Sequence, residues 1–213
     1  TVTVKPEGVP GVEVTTYRVD GKYENHRRPA GVSFSRDIND DLSRRDFTVN
    51  AMAFHPGRGL LDPFGGQEDL QGHILRCVGS PSRCFDEDAL RILRGVRFSA
   101  ALGFSLEPDT FSAVLENTGL IGTLSGERIQ AELTKLILSP MAQAALERYE
   151  PIMLAALPEL PRLPKLLDAP LCAIPRWAAL LRDCPPDTAR SLLSRLRFSN
   201  RETAQILRLI RQL

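Results

Sequence analysis

The residues with the clearest chemical potential are one acid and three arginines spaced three apart, namely Asp88, Arg91, Arg94 and Arg97. On an α-helix, each step of three residues advances about 300°, so consecutive members of the series lie side by side while the row drifts around the axis. Such a slanted row could follow an extended anionic ligand. The sequence predicts that a helix opens near Asp86, ends at Gly103 and presents this row.

The simpler interpretation of the same stretch is a solvated helix face. Glu87 and Arg91 are four residues apart, which is typical of a helical ion pair, and acids suit the first turn of a helix. Leu93 and Val96 are expected to hold the opposite side of the helix in the core. Taken alone, the stretch favours a salt-bridged surface, so a binding function depends on what other segments bring to the same place.

A second concentration of charge lies between residues 40 and 53. We predict a short helix here that turns Phe47 inward and leaves Arg45, Asp46 and Asn50 near a polar pocket. The alternative is an exposed arginine pair without a ligand.

The composition argues for a globular protein whose charge pattern is local. The 213 residues can bury a substantial core and form one or two domains, and the 27 basic and 26 acidic side chains nearly cancel. The four cysteines lack Cys-x-x-Cys spacing, which argues against a zinc knuckle and for reduced thiols in a cytoplasmic compartment. Neither a membrane span, a signal peptide, a Walker loop nor a dinucleotide loop is visible in the sequence.

The amino-terminal residues have the composition of β-strands. We predict one strand over residues 1–4 and another over residues 12–18, joined through a turn at residues 6–11. Glu13 should project from the face opposite Val12 and Val14, and a solvent-facing glutamate is the alternative to any role in a site. Two strands are marginally stable, so partner strands are expected in front of residue 1 or from elsewhere.

Glycine and proline punctuate the segments that follow. Residues 18–35 are predicted to form a polar loop, in which Arg27 and Arg28 could touch RNA. A tight turn is predicted at Gly65 and Gly66, followed by a strand over residues 74–78.

Four motifs occur in a fixed order along the chain: RRDFTVNAMA at 44–53, DPFGGQEDL at 62–70, EDALR at 87–91 and GERIQAEL at 126–133. In sequence and order they resemble the motifs of class II tRNA nucleotidyltransferases, a family that comprises CCA-adding enzymes and bacterial poly(A) polymerases. The resemblance is specific from about residue 1 to residue 140 and loose beyond it. It implies template-independent addition of CMP, CMP and AMP to tRNA 3′ ends from CTP and ATP. Poly(A) synthesis, or a non-catalytic nucleotide- or RNA-binding module, is the alternative.

The resemblance also implies roles for single residues. Arg45 would contact phosphate or sugar, and Asp46, with Asn50 beside it, would accept the ribose 2′-hydroxyl. Asp88 and Arg91 would pair with the Watson–Crick edge of the incoming base, as a protein template.

The remaining motifs would support this template. Arg94 and Arg97 fall where the family contacts the triphosphate. The segment 62–70 would serve as a hinge through its two glycines. The segment around Glu127 would steady the template helix by packing, as a helix after Ser125.

The family's reaction needs an Asp-x-Asp pair that holds Mg²⁺, and this sequence starts just after the place where that pair belongs. The letters Asp86-Glu87-Asp88 do not replace it, because residues two apart on a helix point about 200° apart. Glu13 matches the family's third acidic residue, as a candidate catalytic carboxylate and metal ligand, although alone it makes a poor magnesium site. These residues alone are therefore expected to bind CTP or ATP weakly and to add no nucleotides.

The fold expected from these observations is α+β with three parts. An incomplete nucleotidyltransferase head with an antiparallel or mixed sheet spans residues 1–80, a helical neck with the template helix spans residues 81–140, and an all-helical body spans residues 141–213. Short helices are predicted within residues 142–157, proline-broken segments at 158–186, and two amphipathic helices beyond 187. The arginines of the last two helices either contact tRNA phosphates or form a solvated face: Arg190, Arg195, Arg197, Arg201, Arg208 and Arg211.

Overall fold

The structure is a computed structural model that describes residues 2–5, 8, 10–21, 23–24, 28–29, 31–166 and 169–212. Its strands are β1 (Val2–Val4), β2 (Val12–Val14), β3 (Arg18–Asp20), β4 (Tyr23–Glu24), β5 (Arg28–Pro29), β6 (Val32–Phe34), β7 (Ala53–His55), β8 (Gly59–Leu61), β9 (Ile74–Leu75) and β10 (Ser105–Leu106). Its helices are α1 (Ile38–Ser43), α2 (Gly66–Gln71), α3 (Pro81–Glu87), α4 (Leu90–Leu102), α5 (Pro108–Glu116), α6 (Gly126–Ile137), α7 (Ala142–Arg148), α8 (Glu150–Ala156), α9 (Ala173–Leu181), α10 (Pro186–Arg195) and α11 (Asn200–Ile210). Small sheets followed by a helical remainder confirm the α+β prediction.

The strands pair two by two within the described ranges. β1 and β2 are antiparallel, with Val2 opposite Val14 and Thr3 opposite Glu13, as the sequence predicts. β7 pairs with β8 in the same sense, whereas β9 and β10 run parallel. The valines of the first hairpin are exposed, so this hairpin buries no apolar face in the described structure.

The predicted polar loop over residues 18–35 is wrong, because this segment forms a β-ribbon. β3 pairs with β6, and β4 pairs with β5, in antiparallel registers. Gly21 explains how the ribbon closes: its N–H donates to the carbonyl of Gly31 at 2.8 Å, and a Cβ there would lie 2.9 Å from that oxygen. Arg27 and the side chain of Arg28 lie outside the described residues.

The short helix predicted within residues 40–53 is also largely wrong. α1 ends at Ser43, and Phe47 forms an isolated antiparallel bridge with Cys77 before a 3₁₀ turn at Thr48–Asn50. Cys77 lies within the strand predicted over 74–78 but pairs with Phe47 in this bridge. Strand β9 itself has only two residues. The inward position of Phe47 is confirmed, because its side chain is fully buried.

The helix that was predicted to open near Asp86 begins four residues later, at Leu90. α3 ends at Glu87, and Asp88 has an extended backbone with φ −144° and ψ 103°. The Asp88 carboxylate then accepts the N–H of Leu90 at 3.1 Å, which satisfies one of the free donors at the start of α4. The predicted end is confirmed, because Gly103 caps α4 in the left-handed region with φ 72°.

Most helices from α6 onward follow the sequence prediction closely. α6 begins after Ser125 and buries Ile129, Leu133, Leu136 and Ile137, α7, α8 and α11 fall within the predicted ranges, and α10 begins one residue before its range. The proline-rich region contains one further nine-residue helix, α9, whose Trp177 is fully buried. One hydrophobic cluster runs from Phe47 through α4 and α6 to Leu207, so the core that supports α4 continues into the carboxyl-terminal helices. No helix in the described part of the chain has the length and apolar character needed to cross a bilayer.

Candidate functional site

The segment after α1 and the start of α4 line an open polar cavity of about 430 Å³. Its lining is mostly charged and consists of Arg44, Arg45, Asp46, Asn50, Asp88, Arg91, Arg94 and Phe98. Six of the seven residues predicted to bind nucleotide are in this lining, although they come from segments more than thirty residues apart in sequence. A cavity of this size and polarity, rich in guanidinium groups, suits a phosphorylated ligand.

Asp46 is a fixed carboxylate at the floor of this cavity. One oxygen, Oδ1, accepts the backbone N–H of Phe47 at 2.9 Å and the amide of Asn50 at 3.1 Å. The other, Oδ2, accepts Nε and Nη2 of Arg94 at 2.7 and 2.6 Å. The side chain is therefore oriented before any ligand arrives, and Asn50 and Arg94 are what orient it.

Asp88 is held by a residue that the sequence interpretation left out of the site. Arg128, on α6, donates through Nη2 to both carboxylate oxygens at 2.9 and 3.0 Å. With the N–H of Leu90, three of the roughly four acceptor positions of the carboxylate are taken. One position is left for a further donor from the cavity.

Arg91 is more deeply buried than a surface arginine, with 7% of the residue exposed. Nη1 donates to the carbonyl of Cys84 at 3.1 Å and to Glu87 Oε2 at 3.0 Å, and Nη2 donates to the carbonyl of Arg44 at 2.6 Å. The expected Glu87–Arg91 ion pair is thus present, although the two residues belong to different helices. These bonds also tie α4 to the segment that carries Arg45 and Asp46.

Arg45 lines the cavity as the more exposed of two adjacent guanidinium groups. Its Nη2 lies 3.0 Å from Asp41 Oδ2, and its side chain is 42% exposed, whereas Arg44 binds Oδ1 of the same carboxylate at 2.6 Å and is 22% exposed. Burial alone would raise the pKa of Asp41, but hydrogen bonds from Arg44 and Arg45 outweigh it and hold the pKa below its ordinary value.

Arg97 is the one predicted nucleotide-binding residue that the structure does not place in the cavity lining. Its Nε donates to Glu132 of α6 at 2.6 Å, and its guanidinium lies 3.8 Å from the ring centroid of Phe98. The ring of Phe98 also contacts Arg94, at 5.2 Å. Arg97 therefore supports the cavity wall through Phe98, and a triphosphate contact by Arg97 stays a prediction.

The predicted hinge at residues 62–70 is tightly organised. Asp62 accepts the N–H groups of Gly66 and Gln67 at 2.7 and 2.8 Å, at the start of α2. Gly65 has φ 73°, and a Cβ on Gly66 would lie 2.3 Å from the carbonyl oxygen of Thr48. The second glycine is thus required by close packing against the 3₁₀ turn below the cavity, and hinge motion stays a prediction.

The described residues do not fit a magnesium site. Glu13 is exposed on β2, between exposed valines, and is not part of the cavity lining. Within the described ranges, no group of three or more His, Cys, Asp or Glu side chains is arranged to hold a metal ion. A single exposed carboxylate offers Mg²⁺ too few oxygen ligands.

Arg128 and Glu132 are the residues that sequence reasoning missed. Both are on α6, four residues apart, and flank the buried residues Ile129 and Leu133. Glu132 is only 4% exposed. The available signal was a pair of charged residues beside the buried residues of one helix, in a chain that has a row of arginines elsewhere. A buried charged side chain needs a partner of opposite charge.

Comparisons with known proteins agree with this arrangement. Residues 1–76 match the family model described as poly A polymerase head domain, and residues 103–160 match the model described as probable RNA and SrmB-binding site of polymerase A. The CCA-adding enzyme of Geobacillus thermodenitrificans is 49% identical over 146 residues, which cover 68% of this chain and 36% of that protein. The CCA-adding enzyme of Streptococcus pneumoniae serotype 19F is 42% identical over 204 residues, covering 91% of this chain and 51% of the relative.

A solved structure extends the similarity to the whole fold. The crystal structure of the Bacillus stearothermophilus CCA-adding enzyme in complex with CTP superposes with a TM-score of 0.75 at 31% identity, over 99% of this chain and 54% of that one. The chain thus spans between about a third and a half of the length of these relatives. The mixed head, the helical remainder and the charged cavity define a protein of the nucleotidyltransferase class. Within that class, the chain belongs to the family of class II tRNA nucleotidyltransferases and poly(A) polymerases.

Proposed function

We propose that the complete gene product that carries this chain adds CMP, CMP and AMP to tRNA 3′ ends, from CTP and ATP, without a nucleic-acid template. The observation that carries the proposal is the convergence of Asp46, Asp88, Arg91 and Arg94 on one cavity. The similarity to CCA-adding enzymes, one of them solved with CTP, supports the same conclusion.

The proposed base reading follows from the donor and acceptor pattern of the bases. Cytosine and adenine both carry an amino group on the Watson–Crick edge, where uracil and guanine carry a carbonyl oxygen. The acceptor position left on Asp88 suits the amino group, and it would repel a carbonyl oxygen. The guanidinium of Arg91 supplies a donor for the neighbouring acceptor on the base. This pair thus selects CTP and ATP as a group over UTP and GTP.

The other cavity residues are proposed to hold the sugar and the phosphates. Asp46 accepts the ribose 2′-hydroxyl, while Arg45 and Arg94 contact the phosphates. Arg45 is suited to this because its side chain is 42% exposed and, among the residues that the structure describes, is paired with a single carboxylate. Arg97 lies 2.6 Å from Glu132. It can therefore contact a phosphate only after it has separated from that carboxylate on ligand binding.

The proposal includes Mg²⁺ as the metal of the complete gene product and the cytoplasm as its compartment. Glu13 supplies a single carboxylate, which is too few ligands for Mg²⁺, so the role of the metal is tested by chelation in the complete gene product. The four cysteines are free thiols, which is usual in a reducing compartment.

The division into a head at 1–80, a neck at 81–140 and a tRNA-contacting body at 141–213 is part of the same proposal.

The decisive experiment uses the complete gene product and a tRNA that lacks its 3′ CCA end. CTP alone should add two residues, ATP alone should add none, and both together should add three in the order C, C, A. The Asp88→Ala variant should incorporate UMP or GMP errors, whereas Asp86→Ala, at an exposed aspartate two residues earlier, should not. Loss of the ordered product in the unaltered protein would reject CCA addition.

A second candidate function is poly(A) synthesis, because both matching family models are described by poly(A) polymerase. The same assay separates the two, since homopolymer growth with ATP alone would establish this alternative. Binding of nucleotide or tRNA without any addition, in the presence of Mg²⁺, would instead indicate a non-catalytic binding module.

A further inference from the structure

Two buried cysteines lie directly behind the cavity and are not used by the proposed reaction. Cys77 follows β9 and Cys84 is on α3, and each is only 2% exposed. Cys77 pairs with Phe47 in the isolated antiparallel bridge, and Sγ of Cys84 lies 3.6 Å from the carbonyl oxygen of Asp46, the residue before Phe47, so both cysteines flank the same stretch of backbone. They are therefore a dithiol held in one place by the fold, seven residues apart in sequence.

Cys84 is connected to two residues of the nucleotide site. Its Sγ is 3.6 Å from Nη1 of Arg91, and its carbonyl accepts the same nitrogen at 3.1 Å. Its thiol also donates to the backbone carbonyl of Asp46 at 3.6 Å. A chemical change at Cys84 would thus reach both Arg91 and Asp46.

Cys84 also borders a second cavity of about 240 Å³, next to Gly79, Ser80 and Arg83. This second cavity shares Arg44 and Arg91 with the nucleotide cavity and brings a small solute next to Cys84. The hydrogen bond from Cys77 lowers the pKa of the Cys84 thiol, and the guanidinium of Arg91 acts in the same direction. The hydrogen bond to Cys84 and burial raise the pKa of Cys77, so Cys84 is the thiol of the two that ionises more readily.

We propose that Cys77 and Cys84 are a modification site, a dithiol that hydrogen peroxide closes to an intramolecular disulfide, and that closure weakens nucleotide binding in the adjacent cavity. The second half rests on the proposed function, whereas disulfide formation does not. The site explains why an arginine that contacts the nucleotide cavity also contacts a thiol.

The chemistry takes two steps. The Cys84 thiolate attacks one oxygen of hydrogen peroxide, the O–O bond breaks, and the departing hydroxide takes a proton to become water, which leaves a sulfenic acid on Cys84. The Cys77 sulfur then attacks the Cys84 sulfur, the S–O bond breaks, and hydroxide leaves with the Cys77 proton as a second water. Two thiols are oxidised by two electrons, and one peroxide is reduced to two waters.

The disulfide would alter the site through lost hydrogen bonds. A disulfide carries no S–H, so the hydrogen bond from the Cys84 thiol to the Asp46 carbonyl disappears. The loss of about one hydrogen bond corresponds to a three- to tenfold rise in the dissociation constant for CTP.

The test treats the complete gene product with hydrogen peroxide in a Cys172→Ser background, because Cys172 is exposed and could form bonds between molecules. Trypsin cuts after Arg76, Arg83 and Arg91, so a disulfide would leave peptides 77–83 and 84–91 joined. Mass spectrometry detects this joined pair, and equilibrium binding of CTP is measured before oxidation, after oxidation and after dithiothreitol. Cys77→Ser and Cys77→Ala are the matched variants, and circular dichroism verifies that each is folded.

The expected result is the joined peptide pair, with a three- to tenfold weaker CTP affinity that dithiothreitol restores, and neither effect in the Cys77 variants. Absence of the joined pair, at peroxide levels that fully oxidise Cys172 in the unaltered protein, would overturn the modification site. A joined pair with unchanged CTP affinity would overturn its effect on binding. If the protein binds no CTP before oxidation, the proposed function is refuted. The joined peptides then still decide whether Cys77 and Cys84 form a disulfide.

Discussion

Replacing Arg128 tests whether α6 sets base selection through Asp88. Arg128 donates through one nitrogen to both Asp88 oxygens, at 2.9 and 3.0 Å, and the two side chains are 22% and 21% exposed. Charge-assisted hydrogen bonds contribute about 1.5–3 kcal/mol, and partial exposure places this pair near the lower end. In Arg128→Ala, Asp88 keeps only the N–H of Leu90 and is free to turn away from the base.

A free energy of about 1.4 kcal/mol corresponds to a factor of ten in an equilibrium constant. The preference for CTP over UTP should therefore fall about tenfold in Arg128→Ala. Equilibrium binding of CTP, ATP, GTP and UTP to the complete gene product measures this preference directly. Arg128→Lys keeps the charge but not the planar fork, so its preference should lie between those of the unaltered protein and the alanine variant.

Arg83→Ala is the matched control, because it removes an arginine from the neighbouring helix α3. Arg83 binds Glu87 at 2.9 Å but its side chain is 81% exposed, so its loss should change neither stability nor base preference appreciably. The reasoning is refuted if folded Arg128→Ala keeps the full CTP preference, or if it loses affinity equally for all four nucleotides. Equal loss would mean that Arg128 acts on the triphosphate or on the fold as a whole.

Three further predictions concern Asp46 in the cavity lining and two residues, Gly66 and Asp41, that contact segments next to it. Gly66→Ala should lower the free energy of unfolding, measured by denaturant titration, by about 2–3 kcal/mol, because the new Cβ would lie 2.3 Å from the carbonyl oxygen of Thr48. Gly122→Ala is the control: a Cβ there has no neighbouring atom within 4 Å, so its free energy of unfolding should fall far less. Asp41 has a lowered pKa when folded, so its ion pairs contribute their full stability above the ordinary value of 3.8 and lose it as the pH falls below that value. The difference in unfolding free energy between the unaltered protein and Asp41→Asn should accordingly shrink from pH 5 to pH 3, and a constant difference would contradict the assignment. Asp46→Asn should reduce the preference for CTP over 2′-deoxy-CTP by about five- to tenfold in binding assays, because an amide accepts the 2′-hydroxyl more weakly than a carboxylate does; an unchanged preference would remove Asp46 from the sugar site.

The sequence predicted elements that depend on local patterns. The hairpin of β1 and β2 and the helices α6, α7, α8, α10 and α11 follow from alternation, apolar spacing and caps such as Ser125, all of which act within a few residues. The break between α3 and α4 does not follow from such local patterns. Asp88 looks like an ordinary first-turn acid in the sequence, yet its backbone is extended and its carboxylate binds Arg128, forty residues away.

The candidate site was predicted to a similar extent and for similar reasons. Motif similarity selected six of the eight lining residues; it left out Arg44 and Phe98 and added Arg97, which does not line the cavity. The drift of the arginine row explains that exception, because Arg97 follows Arg91 by six residues and so points about 120° away from it around α4. That turn directs Arg97 toward Glu132 on α6 instead of toward the cavity.

The charges around the cavity indicate how a nucleotide would bind. Four arginines and two aspartates line it, but Arg94 is committed to Asp46, Arg45 to Asp41, and Arg91 to Glu87 and backbone carbonyls. An arriving triphosphate therefore meets partly neutralised groups, and its phosphates must replace carboxylates as partners. Such exchange makes net affinity modest, because each new ion pair costs an old one. It also makes recognition selective, since Asp46, once Arg94 turns to a phosphate, regains an acceptor oxygen that only a ribose hydroxyl in the right place can satisfy.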